Sequence, residues 1–432
     1  MTFRPVVVVF MLGAALGTPA AGQAALGAAV QSVRAAMAAG NHETAVRVAD
    51  SLWRRIPGHP SLVMLRAQAL VTAGRLDDAE RDVRRLLAWD ARYARRALQD
   101  SLLAPLRPRL EPAVTPLATR ADSVFGRGRV LATIEERDLV PEGTAWDPAT
   151  RSVLVGSLNK NAIVAIASDG RISDRVPRGS NGLGSVVGIH VDSVRGVLWA
   201  TSNARFDRQR DTSRSALYAF EAATGRFRDR YELPSGLGPN FLNDLTAGPD
   251  GSVYVTDSRA GIVWVLQRGA QVLTRLDAGF TSPNGITVAP DGRHLFVADM
   301  DHITVVPLSG GSSWQLEVPD SINIFGIDGL AAVSGGLIAH HPLSYWRIAY
   351  YALDPGYRRI TRRHIIEQNT PDSRTSTTGE VAGDDYVYIG NSQIDRMNAG
   401  TIDASTMEPV RIYSVSLRNL GSSQRFTNQR RD

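Results

Sequence analysis

A short phrase is written six times between residues 128 and 418, and it leaves this chain few folds to choose from. Its clearest copy runs from Ser282 to Asp299. A polar residue and a glycine (Asn284-Gly285) lead into an apolar run. A Pro290-Asp291-Gly292 turn follows, then a second apolar run ending in Asp299. Alternating β-branched residues on either side of an Asp-Gly turn predict two antiparallel strands. The other copies start at Glu142-Gly143, Val187-Gly188, Asn243-Asp244, Asp328-Gly329 and Thr378-Gly379. Successive starts lie about 40–55 residues apart, the length of a four-stranded propeller blade. One such sheet cannot bury both its faces. Six packed radially can, around a central channel. The chain therefore reads as mainly β: a six-bladed β-propeller over residues 128–418. Arg129–Ile134 forms an extra strand ahead of the first full copy. It is expected to supply the outer strand of the last blade and clasp the ring.

Residues 25–105 have a different texture, rich in Ala, Leu and Arg with apolar spacing near 3.6. Ala38-Ala39-Gly40, followed by Ala45, recurs as Thr72-Ala73-Gly74, followed by Ala79. The interval between the two glycines matches the ~34-residue tetratricopeptide period. This predicts an N-terminal α-helical domain of about two tetratricopeptide-like repeats, with a capping helix near Tyr93–Leu103. Residues 106–127, with prolines at 108, 112 and 116, read as a linker. Such repeats can present a groove to a protein partner, or simply pack on the neighbouring domain.

At the start, Arg4 precedes an apolar run from Val6 to Leu16, and Ala20-Ala21-Gly22 offers small residues for cleavage before Gln23. This predicts a signal peptide over residues 1–22 and an exported protein, periplasmic or secreted. The run is too short to span a bilayer, and no later run is longer, so no membrane span is expected after cleavage. Residues 419–432 read as a flexible polar tail. The formal net charge is +5, with Lys160 the one lysine among scattered arginines. Without a basic cluster on one face, no nucleic-acid partner is expected. The chain has no cysteine, which excludes disulfides, thiolate zinc sites, iron–sulfur clusters and a cysteine nucleophile.

The first strand of a propeller blade lines the axis, so residues at equivalent starts converge at one rim. In order they are Glu142, Val187, Asn243, Asn284, Asp328 and Thr378. An Asn or Asp before Gly is an ordinary turn residue when alone. Two carboxylates and two amides in phase are a set of hard oxygen donors, suited to Ca2+, Mg2+ or Mn2+.

On Pro141-Glu142-Gly143 with Trp146-Asp147, Asn243-Asp244, Ser282-Pro283-Asn284-Gly285 and Asp328-Gly329, residues 128–418 resemble a known group of six-bladed propellers. It comprises the gluconolactonases, regucalcin (senescence marker protein) and luciferin-regenerating enzymes, and more distantly the paraoxonases and strictosidine synthases. The resemblance implies one divalent cation held by Glu142, Asn284 and Asp328, with Asn243 touching metal or substrate and Asp328 also serving as base. Ca2+ is the first candidate, with Mg2+, Mn2+ or Zn2+ as alternatives. Sugar-lactone members carry Arg-Phe before the Asn-Asp pair, whereas this chain has Phe241-Leu242, which points to a more apolar ligand. Paraoxonases place a histidine where Val187 stands; His190, three residues on, reads as a strand residue. Ile327 replaces the usual proline before Asp328. His340 and His341 read as packing residues.

The function expected is hydrolysis of a small-molecule lactone or ester. A cation polarises the carbonyl and a carboxylate activates water. No Gly-x-Ser-x-Gly elbow offers a serine route. The alternative is a non-catalytic exported propeller that binds a ligand or protein, with the metal structural.

Overall fold

The computed structural model describes residues 19–118, 121, 123–203, 215–236, 240–276, 278–342, 346–372, 375–398 and 402–420. Of the expected leader only residues 19–22 are among these, and of the expected tail only 419 and 420.

Six helices come first: α1 (Pro19–Ala38), α2 (His42–Arg55), α3 (Pro60–Thr72), α4 (Leu76–Trp89), α5 (Arg92–Gln99) and α6 (Arg107–Ala118). The repeated glycines explain the hairpins. Gly40 and Gly74 both take φ of 74°, a left-handed conformation that costs a glycine little. This lets Asn41 N–H reach back to Ala36 O, and Arg75 N–H to Leu70 O, each at 2.9 Å. Both links are the 6→1 bond of a Schellman cap, so the same turn is built twice. The chain then reverses into α2 and α4. These bury Ala45, Val46, Ala49 and Leu52, and Ala79, Val83 and Leu86, at helical spacing against α3. One charge sits inside this stack. Arg66 pairs with Asp50 at 2.5 Å and Asp82 at 2.6 Å, and its guanidinium lies 4.5 Å from the Trp53 ring.

The linker expectation for residues 106–127 is corrected over much of its length. Arg107–Ala118 is helix α6, paired with α5 as a third hairpin. Its prolines at 108, 112 and 116 fall every fourth residue on the exposed side, while Leu110 and Val114 are buried opposite. Apolar burial on the inner side offsets the backbone bonds that the prolines remove on the outer one.

The remaining described chain forms six antiparallel sheets of four strands in meander order, one of them extended by a fifth. The inner strands are Pro141–Asp147, Ser185–Asp192, Leu242–Ala247, Pro283–Val288, Leu330–Val333 and Gly379–Ala382, for blades 1 to 6. The period-2 pattern decides how blades pack. In Ser152–Ser157 of blade 1, Leu154 faces blade 2 and clusters with Leu198 and Phe220. Its neighbours Val153 and Val155 face blade 6 and cluster with Ile389 and Ile412. Each wedge between blades is filled this way, so no sheet is left with a wet apolar face.

The ring closes as the sequence predicts: Arg129–Ile134 pairs with Val410–Ser416 as the outer strand of blade 6. A second clasp has no counterpart in the sequence pattern. Phe125–Gly126 adds a fifth strand to the edge of blade 5, against Ile360–Gln368. Between the two clasps, Glu367 accepts from Arg127 N–H at 2.8 Å, Gly128 N–H at 2.7 Å and the Tyr388 hydroxyl at 2.8 Å. No helix among the described residues is long and apolar enough to cross a membrane.

Candidate metal centre

Strand pairing fails in the same place in four blades. The ladder slips between Pro141 and Thr144, Val186 and Ile189, Leu242 and Leu245, and Pro283 and Ile286. Each slip frees two residues: Glu142-Gly143, Val187-Gly188, Asn243-Asp244 and Asn284-Gly285. A bulge at a strand end re-aims side chains that regular pairing would point into a blade face. Glycine then allows the inner strands to close up. A Cβ on Gly143 would strike Val187 O, and one on Gly285 would strike Asp328 O.

The result is one pocket on the axis, about 210 Å³ counted out into solvent. Glu142, Asn243, Asn284 and Asp328 all line it, with Val187 and Thr378 filling the two other predicted positions. Thr377 and Asp244 line it as well. Asp244 is not among the residues the sequence predicts for the site, although it follows Asn243 directly. The regular alternation of a strand would turn it away from its neighbour's side, and the bulge cancels that rule. Glu380, two residues past Thr378, lies 3.8 Å from His190 Nδ1. His190 is on the inner strand of blade 2, as expected, and is not among the pocket's lining residues. His340 and His341 are fully buried and serve packing. His340 bonds the Ser376 hydroxyl at 3.0 Å and the Tyr386 hydroxyl at 2.8 Å, and His341 bonds the Tyr351 hydroxyl at 2.8 Å.

Within the pocket, Asn284 Nδ2 donates to Asp328 Oδ1 at 2.8 Å. Asn243 Nδ2 donates to Ser258 Oγ at 3.0 Å, and that hydroxyl donates in turn to Pro283 O at 2.6 Å. Both amides therefore spend a donor on the protein and keep their carbonyl oxygens as acceptors. Glu142 is 7% exposed, and its Oε2 is buried with no hydrogen-bond partner. Val140, just ahead of it, is β-branched, fully buried and held at φ of 46°. That strain costs about 1–3 kcal/mol and sits beside the site, where such outliers concentrate.

The electrostatics are those of an acid cluster lacking a counter-charge. Burial, then the Asp328 charge, hold the Glu142 carboxyl well above the usual carboxylate range, against a Thr377 hydrogen bond that lowers it. Burial pushes Asp328 up to about 6 against the opposing Asn284 bond. Burial also lifts Asp244 to about 7, against the backbone N–H of Leu245 and Ile286 and with help from the Glu380 and Asp328 charges. Neither Lys nor Arg is among the described lining residues. Among the described residues, no three carboxylates or imidazoles gather closely enough to hold a metal by themselves, so amide oxygens must complete any cation site. The orphaned Glu142 oxygen, the spare amide carbonyls and the unneutralised acids fit a hard divalent cation.

An apolar cluster reaches the pocket through Val187. Val187, Val140, Leu158 and Met407 form a buried cluster, with Phe241, Ile394, Met397 and Ile402 packed against it and half-buried.

Residues 140–309 match the family model for the SMP-30/Gluconolactonase/LRE-like region, and residues 36–104 match that for a tetratricopeptide repeat. No curated protein matches the chain. Solved structures with a similar fold include a gluconolactonase from Xanthomonas campestris, 17% identical, covering 69% of this chain and 92% of that one at a TM-score of 0.46. Another is a calcium-binding regucalcin from Agrobacterium tumefaciens, 19% identical, covering 67% and 92% at 0.47. A luciferin-regenerating enzyme is 15% identical, covering 67% and 96% at 0.46. Glu142, Asn243 and Asn284 lie within the matched stretch, and Asp328 lies beyond it. The chain is a six-bladed propeller that carries an SMP-30/gluconolactonase/LRE-like region behind a tetratricopeptide repeat region.

Proposed function

We propose that the propeller is a divalent-cation-dependent hydrolase of lactones or esters, with Ca2+ the preferred ion. One observation carries this reading: Glu142, Asn243, Asn284 and Asp328, from four different blades, meet at a single open pocket whose buried Glu142 oxygen lacks a partner. Glu142, Asn284 and Asp328 would hold the ion, with the Asn243 carbonyl oxygen aimed at ion or substrate. When bound, the cation polarises the substrate carbonyl and stabilises the negative charge that builds on its oxygen.

The protein's own part is to place a base and exclude bulk water. Asp328 would serve as the base: the Asn284 amide holds one of its oxygens at 2.8 Å, which fixes the carboxylate at the ring. Water attacks the carbonyl carbon, its proton passes to the Asp328 carboxylate, and the carbonyl carbon's bond to the ester oxygen breaks. The same proton then goes to the departing alkoxide. The apolar cluster that reaches the pocket at Val187 favours a substrate with a hydrocarbon arm over a sugar acid.

The test is turnover of a panel of lactones and aryl esters, with and without EDTA. Wild type is compared with Asp328→Ala and Glu142→Ala. Chelator-sensitive turnover, lost in both variants, is expected. Bound calcium without turnover across the panel would leave a propeller that only binds.

A further inference from the structure

The helical domain sits on the same face of the propeller as the metal centre. In blades 1, 3 and 4 the first residue of the inner strand pairs with the last of the second strand: Pro141 with Ser157, Leu242 with Asp257, Pro283 with Asp299. Turns after second strands and segments leading into inner strands therefore share the ring's face. Those are the parts the helices touch. Gly58 N–H donates to Asp301 Oδ2 at 3.1 Å, and Asn323 Nδ2 donates to Gly58 O at 2.8 Å. The His59 ring lies 4.6 Å from that of Phe325, and Trp89 Nε1 donates to Asp320 O at 2.9 Å. Arg347 and Arg363 donate to Trp89 O at 3.3 and 3.0 Å. Phe325 and Met300 belong to the helical domain's own apolar core.

Two of these contacts, at Asn323 and Phe325, fall on the run Asn323–Ile327, which delivers Asp328 to the ring. The blades differ here in a way the backbone makes important. Glu142 and Asn284 are each preceded by a proline, which locks φ one residue before the ligand position. Asp328 is preceded by Ile327 and by Gly326, whose φ is 69°. Local sequence does not lock this approach, so packing holds it: Ile324 and Ile327 are buried between blades 4 and 5, while Asn323 and Phe325 face the helices. Asn323 is 3% exposed and works in both directions. Its Nδ2 grips the helical loop, its Oδ1 accepts from Phe325 N–H at 3.0 Å, and its carbonyl accepts from Arg347 at 3.0 Å. Further along, Gly326 N–H donates to Met300 O at 2.9 Å and Asp328 N–H to His340 O at 2.9 Å.

We propose that the helical domain is a working part of the metal centre: by clamping Asn323 and Phe325 it sets where the Asp328 carboxylate stands, and Asn323 is a positioning residue for that carboxylate. The domain so placed is a fixed wall on the blade 4 and 5 side of the ring, opposite in role to a free adaptor module. The calcium arm of the test rests on the ring being a cation site; the exchange arm does not.

Two variants of the full chain loosen the clamp from opposite sides. Gly58→Ala puts a methyl group 2.7 Å from the Asp301 Cβ, and Asn323→Ala removes the bridge. Arg81→Ala, on an exposed side chain of α4, is the control. Hydrogen exchange read by mass spectrometry should show faster uptake over residues 323–330 in both clamp variants. Uptake over residues 141–147 should stay unchanged, because Pro141 holds that approach locally. Calorimetry should show the calcium dissociation constant rising about tenfold in both, with one site kept. Arg81→Ala should match wild type in both measurements. If Asn323→Ala fails to fold, Gly58→Ala alone decides. Faster exchange at residues 56–60 with no change at 323–330 would overturn the proposal. A wild type that binds no calcium would overturn the cation reading instead, and exchange over residues 323–330 would still decide whether the helices position the approach to Asp328.

Discussion

The two halves of this molecule meet the same problem and handle their ends differently. A helical hairpin and a four-stranded blade each have a face they cannot bury alone, so both are repeated until neighbours cover it. The propeller closes on itself: Arg129–Ile134 completes blade 6, and every blade has two neighbours. The helical hairpins form an open row with no such closure. Part of their core is completed by Met300 and Phe325 of the propeller. Closure gives a point on the axis where six strand starts meet, which is where the candidate chemistry lies. The open row gives an edge of inter-helix loops, which is what docks. Topology thus assigns the roles: a ring makes a centre, and a row makes a side.

This contrast can be broken from either half. The largest effect is expected at Arg66. Arg66→Met strands Asp82, which burial already lifts to about 6, inside the helical stack without its partner. A loss of about 3–5 kcal/mol is expected, as for other broken buried pairs. Calorimetry should show the helical domain melting as a separate, earlier transition, with the closed ring keeping its own. A single merged transition would show that the row and the ring fold as one unit.

Lowering the pH tests the docked edge. His59 caps α3 through Nδ1, which accepts from Ser61 N–H, and burial holds its pKa down to about 4. The unfolded chain binds this proton near the usual 6.5, so it holds more protons than the folded chain between those values. Stability is therefore present at neutral pH and lost as pH falls from about 6.5 toward 4, by up to about 3 kcal/mol. Exchange at residues 56–61 should rise over that window, and His59→Asn, which cannot titrate, should flatten the rise.

A smaller effect is expected at the clasp. Glu367→Gln keeps an acceptor for Arg127 and Gly128 N–H but puts an amide where the carboxyl takes three bonds, costing about 1 kcal/mol. Because burial raises the Glu367 pKa, the deficit should be largest at low pH and shrink as pH climbs through that raised value. Chemical denaturation at two pH values checks this. The smallest effect is at Arg418, exposed and paired with an exposed Asp384. Arg418→Ala should leave the propeller's melting temperature within error, as exposed pairs usually do.

Much of this architecture is legible in the chain. The six phrases report six blades because every blade needs the same turn at the same interval. Gly40 and Gly74 report two hairpins because both caps need a left-handed residue. Glu142, Asn243, Asn284 and Asp328 are legible as a set because phase alone brings strand starts to the axis. Residues 107–118 are not, since proline argues against a helix until the buried Leu110 and Val114 are seen on its other side. Asp244 is hidden because alternation along a strand says the opposite of what a bulge does.

Blade count, ring closure and which strand starts reach the axis were thus written into local periodicity. A residue's phase is a property of the chain alone, and radial packing converts phase into position. The grip of Gly58 on Asp301 spans 243 residues and has no period to betray it. Nor does any pattern announce that the approach to Asp328, with no proline at Ile327, meets helices across the ring's face through Asn323 and Phe325. Such contacts follow from which surfaces are left uncovered once both halves have folded, and only the assembled structure shows where those surfaces meet.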